Sequence, residues 1–293
     1  MPVIQTRRRL VAYETFGAGR IPILLVHGNF GSSRWWRALG RCLPPRFTAH
    51  APDLPGFAGS PLGHRRVTIA TLAEDLIDFA DALGLDRFHL VGHSLGTAVS
   101  MQLAHLHPER VASLMLLAPV PAGGIAVLME KNAKLAAFDL RKPFSGSLLE
   151  LLNAAAQWLG LHRRALQRTL MRMAPTIDRD PDFQGLIDDA AAMTPRAIVE
   201  MFDALVRFDP ALAGVTAPTL VIAGEEDPLI PIHHARELAK RLPCAMIRGY
   251  AGVAHGVPVE APEAVARSLA RFVRYGRWWL AWRRWLCSAI RPS

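Results

Sequence analysis

The chain contains few cysteines and no recognisable metal-binding pattern. Its 293 residues include three cysteines, Cys42, Cys244 and Cys287. Neither these cysteines nor the histidines have the spacing of metal ligands. So few thiols favour reduced side chains in the cytoplasm over a disulfide framework. The sequence therefore predicts a cytoplasmic protein that uses no metal and no cofactor.

Long apolar runs are also absent. Hydrophobic residues make up 51% of the chain, but no segment of about 20 uncharged apolar residues occurs, so no membrane-spanning helix is expected. The arginines near the start are not followed by an apolar stretch, so no signal peptide is expected. A chain of 293 residues can bury a sizeable core. One domain with an insertion is the simplest organisation.

Acidic residues are fewer than lysines and arginines, which gives a net charge of +9. A basic protein attracts acidic partners, yet no nucleic-acid recognition module is present, and nucleic acid is not an expected partner. Part of the excess lies in a basic, Trp-rich tail, residues 276–293. This tail holds four of the seven tryptophans, and no acidic residue follows Glu263.

Two interpretations of this tail stay open. As a helix, the tail would place Trp278, Trp282 and Trp285 on one face, with its arginines well away from that face. This pattern is typical of a helix lying on an anionic lipid surface, here at the inner face of the membrane. The alternative is a helix whose tryptophans pack on the rest of the protein or on a second subunit.

The most informative segment surrounds Ser94. An apolar strand, residues 88–91, leads into Gly92-His93-Ser94-Leu95-Gly96, and a helical stretch follows. A nucleophilic serine requires this strand–turn–helix context, because the sharp turn lifts its hydroxyl above the sheet. Side chains at positions 92 and 96 would collide with the adjoining strand and helix, which explains the two glycines. The sequence therefore predicts Ser94 as a nucleophile.

A serine nucleophile needs a histidine base and an acid that orients it. The strand at 219–223 is followed by a turn that carries Asp227, with Glu225 and Glu226 as competing acids. The pattern Gly-x-x-Asp-x-x-x-Pro of this turn favours the aspartate. His255 lies in a loop that follows a later short strand, predicted over Cys244 to Ile247. The expected order is therefore serine, acid, histidine.

Four segments together resemble the α/β-hydrolase superfamily, in the branch shared by epoxide hydrolases, haloalkane dehalogenases, carboxylesterases and meta-cleavage-product hydrolases. Besides the turns at Ser94 and Asp227, these are the strand and His-Gly turn at 23–30 and the Asp-x-Pro-Gly block at 53–60. Ala58 stands where most members have glycine. The resemblance covers residues 20 to 275, with the middle third matching only in architecture.

The resemblance implies an α/β fold, with a mostly parallel central sheet flanked by helices and an inserted helical lid. Strands alternate with helices up to Pro119, as expected for such a sheet. Helical stretches broken by proline and glycine follow. The predicted division assigns 1–121 and 213–275 to the hydrolase core, 122–212 to the lid and 276–293 to the tail.

The family roles carry over to individual residues. Ser94 would attack a carbonyl carbon, His255 would transfer the proton, and Asp227 would orient the imidazole. The oxyanion hole would be formed by the backbone amides of Leu95 and Asn29, with Phe30 as the second choice. The residues expected to contact substrate are Phe30, His93 and Trp158. His27 is expected to brace the His-Gly turn through hydrogen bonds.

Differences from this branch of the superfamily exclude some of its reactions. Epoxide hydrolases and dehalogenases use an aspartate nucleophile, and epoxide hydrolases also need lid tyrosines, which this chain lacks. Acyl transfer to water through an acyl-enzyme remains, and a lid rich in leucine, methionine and phenylalanine favours a lipophilic carboxylic ester. The alternatives are a thioesterase or methyl esterase acting on acyl groups of an acidic acyl carrier protein, a C–C bond hydrolase, and a small-molecule receptor.

Overall fold

An eight-stranded sheet forms the centre of the protein in a computed structural model that describes residues 1–131 and 161–289, with side chains for 1–128 and 163–275. The strands are β1 (Val3–Gln5), β2 (Leu10–Phe16), β3 (Ile21–Val26), β4 (Phe47–Pro52), β5 (Phe88–His93), β6 (Val111–Leu117), β7 (Thr219–Gly224) and β8 (Ala245–Tyr250). Their order across the sheet is β1-β2-β4-β3-β5-β6-β7-β8. All pairs are parallel except β1–β2 and β2–β4. The predicted α/β architecture is confirmed.

Helices cover both faces of this sheet. They are α1 (Arg37–Cys42), α2 (Ile69–Ala82), α3 (Leu95–Leu106), α4 (Ala126–Lys131), α5 (Leu161–Met173), α6 (Phe183–Ala191), α7 (Pro195–Val206), α8 (Ile232–Arg241), α9 (Val257–Glu260) and α10 (Pro262–Ala289). Alternate residues of a strand point to opposite faces. Accordingly Leu24 and Leu90 belong to one buried cluster, whereas Leu25 and Val91 belong to the other. The central strands are therefore continuous apolar runs, as expected for strands buried on both faces.

Between β6 and β7, the regular elements of the described residues are all helices. Helices α4 to α7 lie inside the predicted range 122–212, called the helical insertion below, while Trp158 and the other residues of 132–160 lie outside the described residues. Helix α7 buries Met201 completely, and Met193 just before it is 1% exposed. Both methionines belong to the main core cluster. These two flexible side chains therefore fill the core instead of adapting to a substrate.

Among the element boundaries that differ from those expected are the ends of β8 and of the last helix. Strand β8 continues beyond Ile247 to Tyr250, because an edge strand can carry polar residues and glycine without losing its one ladder of hydrogen bonds. The last helix was expected to end near Tyr275, where the predicted tail begins, but it continues to Ala289, so the helix runs from the core into the tail without a break. In the described part of the chain, no helix has both the length and the hydropathy needed to cross a bilayer.

His27 fixes the turn that follows β3. The Leu54 amide donates a hydrogen bond to His27 Nε2 at 2.9 Å, which makes Nε2 the acceptor. The proton is therefore on Nδ1, which donates to the Gly28 carbonyl at 2.8 Å. The ring has no exposed surface, and burial lowers the pKa of His27 to about 4. His27 is therefore a neutral brace between β3 and the loop after β4, as the sequence predicted.

This brace makes stability depend on pH. Because the pKa of His27 is about 4 in the folded state and 6.5 in a model peptide, the unfolded chain binds the extra proton first as the pH falls. The free energy of unfolding should therefore decrease from pH 6.5 towards pH 4, by roughly 3 kcal/mol for this group. The variant His27→Gln keeps a donor and an acceptor but cannot titrate. Urea denaturation at several pH values should show a shallower slope for the variant, and equal slopes would contradict the brace.

Candidate active site

Ser94 lies at the junction of β5 and α3 in a strained backbone conformation. Its φ is 51° and its ψ is −119°, in a region that residues with a side chain rarely adopt. The flanking glycines allow the turn to close. A Cβ at Gly92 would lie 2.4 Å from the Gly96 carbonyl oxygen, and one at Gly96 would lie 2.1 Å from the Val26 carbonyl oxygen. The predicted collisions at these two positions are confirmed.

The Ser94 backbone is held firmly, while its hydroxyl is left free of the helix. The Ser94 amide donates to the Leu117 carbonyl at 3.0 Å, and the Thr97 hydroxyl donates to the Ser94 carbonyl at 2.6 Å. A serine that precedes a helix usually caps it through its own oxygen, but Ser94 makes no such bond. Its half-buried hydroxyl is therefore available to a different partner.

That partner is His255. The loop between β8 and α9 carries this residue, and its Nε2 lies 2.9 Å from Ser94 Oγ. Its Nδ1 lies 2.7 Å from Asp227 Oδ2 on the loop after β7. The side chains of His255 and Asp227 are 1% and 0% exposed, so water does not compete for these bonds. The structure thus brings the three predicted residues into one hydrogen-bonded chain.

Asp227 is the carboxylate that reaches the histidine. Burial acts to raise its pKa, but the hydrogen bond from His255 and those from the amides of Leu229 and Ile230 outweigh this effect, and the pKa lies below its usual value. The two amides donate to Oδ1 at 2.8 and 2.9 Å. The competing acids, Glu225 and Glu226, are both exposed. Asp227 therefore stays ionised and accepts from the imidazole.

The His-Gly turn lies directly against Ser94. A Cβ at Gly28 would be 2.9 Å from the Ser94 Cβ, which brings the next residue, Asn29, close to the nucleophile. The Phe30 amide donates to Asn29 Oδ1 at 3.2 Å, so that amide is already engaged. Among the described residues, the backbone amides of Asn29 and Leu95 have no acceptor. This geometry favours Asn29 over Phe30 as a donor to a developing negative charge.

Of the three predicted substrate contacts, one is half-buried, one is buried and one lies outside the described residues. The Phe30 ring is half-buried and lies 6.0 Å, centroid to centroid, from the ring of Phe202 on α7. His93 is only 2% exposed, and it stacks on Trp35 at 5.4 Å. Trp158 lies outside the described residues. An aromatic pair therefore joins the His-Gly turn to the helical insertion.

His93 forms a hydrogen bond with the backbone of His255. Its Nε2 lies 2.8 Å from the His255 carbonyl oxygen and donates to it. Burial, followed by the proximity of His255, lowers the pKa of His93 to about 3, so the ring is neutral. This hydrogen bond fixes the backbone of His255. The sequence predicted a substrate contact at His93. It could not predict this hydrogen bond, because the partner lies 162 residues further along the chain.

Comparisons with known proteins identify the family. Residues 21–262 match the family described by the alpha/beta hydrolase fold. A protein of Caulobacter vibrioides named "Putative carbamate hydrolase RutD" is 30% identical over 275 residues, which cover 89% of this chain and 94% of the relative. The 2-hydroxy-6-oxo-6-phenylhexa-2,4-dienoate hydrolase of Comamonas testosteroni is 26% identical over 282 residues, which cover 90% and 91%.

A solved structure shows the same fold. A thermophilic esterase from Thermogutta terrifontis superposes with a TM-score of 0.73 at 21% identity, covering 94% of this chain and 98% of the esterase. The family match spans most of the sequence and includes β3 to β8. The protein belongs to the alpha/beta hydrolase family.

Proposed function

We propose that the protein is a serine hydrolase that cleaves a lipophilic carboxylic ester through an acyl-enzyme. The observation that carries the proposal is the continuous hydrogen-bonded chain from Ser94 through His255 to Asp227, with distances of 2.9 and 2.7 Å. A serine hydroxyl is a weak nucleophile until a base accepts its proton. These hydrogen bonds join Ser94 to a base, His255, and join that base to an acid, Asp227, that orients it.

The geometry supports the following sequence of steps. Ser94 Oγ attacks the ester carbonyl carbon while its proton passes to His255 Nε2, and Asp227 stabilises the imidazolium that forms. The carbonyl oxygen becomes negative and accepts hydrogen bonds from the amides of Leu95 and Asn29. Each such donor contributes about 3–4 kcal/mol to the stability of the transition state. His255 then protonates the leaving alcohol, and a water molecule repeats these steps to release the acid.

Apolar side chains next to Asn29 favour lipophilic substrates. The rings of Phe30 and Phe202 contribute an apolar surface from both the core and the insertion. The second candidate is a C–C bond hydrolase. It is favoured by a relative at 26% identity whose name is that of a hydrolase of a hydroxy-oxo-dienoate, a substrate with no ester in its name. A thioesterase, a methyl esterase and a receptor use the same fold. Turnover of simple esters separates the enzymes from the receptor.

The first prediction concerns the three hydrogen-bonded residues. Because they act as a unit, Ser94→Ala and His255→Ala should each reduce kcat on p-nitrophenyl esters by about a thousandfold or more, and the double variant should be little worse than either. Asp227→Asn should also lose most activity, because the amide cannot stabilise the imidazolium. Glu225→Gln, in the same turn but exposed, is the matched control and should retain wild-type turnover. Ser94→Ala with a tenth of wild-type kcat would refute the nucleophile.

The second prediction concerns the length of the acyl chain. Each methylene buried against apolar side chains contributes up to about 0.8 kcal/mol. The value of kcat/KM for p-nitrophenyl esters should therefore rise from acetyl to hexanoyl or octanoyl. The variant Phe202→Ala should flatten this rise, since it removes one of the two rings. A steady decrease from acetyl onward in the wild type would exclude the lipophilic substrate.

We also propose that the tail 276–293 binds anionic membranes. The described part of α10 before the tail already exposes Arg267, Arg271 and Arg274, and the tail sequence adds further arginines and four tryptophans. Cationic and aromatic residues of this kind favour the interface of an anionic bilayer.

Removal of residues 276–293 tests this proposal. The truncated protein should no longer co-sediment with vesicles of phosphatidylcholine and phosphatidylglycerol, while its turnover of soluble esters and its Tm stay unchanged. Binding of the full chain should weaken at high salt and with pure phosphatidylcholine. If the tail instead packs on the protein, truncation exposes apolar surface and lowers the Tm by several degrees. Vesicle binding that survives truncation would also contradict the proposal.

A further inference from the structure

The loop that carries His255 is joined to the end of helix α5. The His255 amide donates a hydrogen bond of 2.8 Å to the carbonyl of Met173, the last residue of α5. Gly256 and Ala174, which follow His255 and Met173 in the sequence, are also in close contact, because a Cβ at Gly256 would lie only 2.4 Å from the Cβ of Ala174. The backbone of the proton acceptor is therefore bonded directly to the helical insertion.

Glu260 ties the same two segments together. This half-buried residue ends α9, and its Oε2 accepts a hydrogen bond from the Ala254 amide at 3.0 Å. The amides of Gly256 and Thr176 lie near its carboxylate and act to lower its pKa. A hydrogen bond from an amide to an ionised carboxylate is stronger than a neutral one. The Glu260 side chain therefore bonds the residue before His255 and lies beside the segment that follows α5.

The charge of Glu260 has few neighbours to balance it. Burial raises its pKa, the three backbone amides act in the opposite direction, and the nearby charge of Asp227 raises it further. No cation forms an ion pair with Glu260 among the described residues. Backbone amides therefore stabilise the carboxylate, and the site depends on their staying in place.

We propose that Glu260 is a positioning residue that holds the His255 loop against the end of α5, so that movement of the helical insertion displaces the imidazole. This inference rests on the proposed hydrolase function. Glu260 has no contact with Ser94, His255 or Asp227 side chains among the described hydrogen bonds, so it acts through the backbone. A displacement of about 1 Å in a catalytic group can reduce a rate by a hundredfold.

The kinetic test compares Glu260→Gln with Glu263→Gln. The first variant keeps the size of the side chain but loses its charge and one acceptor oxygen. We expect kcat on p-nitrophenyl hexanoate to fall about tenfold, with KM within about twofold of wild type, because substrate contacts are unchanged. Glu263 is an exposed carboxylate that pairs with Arg267 one turn further on, and its variant should keep the wild-type kcat. Assays well below every melting temperature separate misplacement from unfolding.

A second variant disturbs the same junction without changing a charge. Gly256→Ala places a methyl group where Ala174 already lies, so it should force the loop and α5 apart and lower kcat in the same way. Hydrogen exchange followed by mass spectrometry gives a readout that does not require turnover. Peptides covering 174–176 and 250–256 should exchange faster in Glu260→Gln, and as slowly as wild type in Glu263→Gln.

The outcomes distinguish this proposal from the proposed function. Wild-type protein that hydrolyses no ester would refute the function, and the exchange experiment would still decide whether Glu260 joins the two segments. Unchanged exchange in Glu260→Gln overturns the proposal whatever the activity. A lower Tm with kcat within twofold of wild type would also overturn it, since Glu260 would then only stabilise the fold.

Discussion

Ser94 adopts a backbone conformation that costs a residue with a side chain roughly 1–3 kcal/mol, and the rest of the site depends on it. The strain persists because β5, α3 and β3 pack closely at Gly92 and Gly96, where only a hydrogen atom fits in place of a side chain. The conformation has two consequences. It directs the hydroxyl away from its own helix, and it leaves the Leu95 amide beside the hydroxyl without an acceptor among the described residues.

The other groups reach Ser94 because the central strands are parallel. Asn29, Ser94, Asp227 and His255 follow β3, β5, β7 and β8 respectively, so the sheet delivers all four to the edge formed by its carboxyl ends. Each loop then has its own support. Neutral His27 and His93 hold the turn at Asn29 and the backbone of His255 through hydrogen bonds of 2.8 Å. Burial keeps both rings uncharged near neutral pH.

The features that could be predicted from the sequence are those that depend on residues close together in the chain. The glycines around Ser94, the apolar central strands and the preference for Asp227 over its neighbours all reflect constraints within a few residues. The supports of His255 were not predictable in this way, because Met173 and Ala174 meet the loop only through the fold. Glu260 did leave one signal. It is an acid five residues after the histidine, at the start of a helical region, where carboxylates often accept amide hydrogen bonds.

The central claim is that Ser94 becomes covalently acylated. Reaction with a p-nitrophenyl alkylphosphonate, which imitates the tetrahedral intermediate and stays attached, tests this most directly. Mass spectrometry of the digested protein should find one phosphonyl group per chain, on the peptide that contains Ser94, and none after His255→Ala over the same time. A label on another residue, or release of p-nitrophenol with no label on Ser94, would contradict the account.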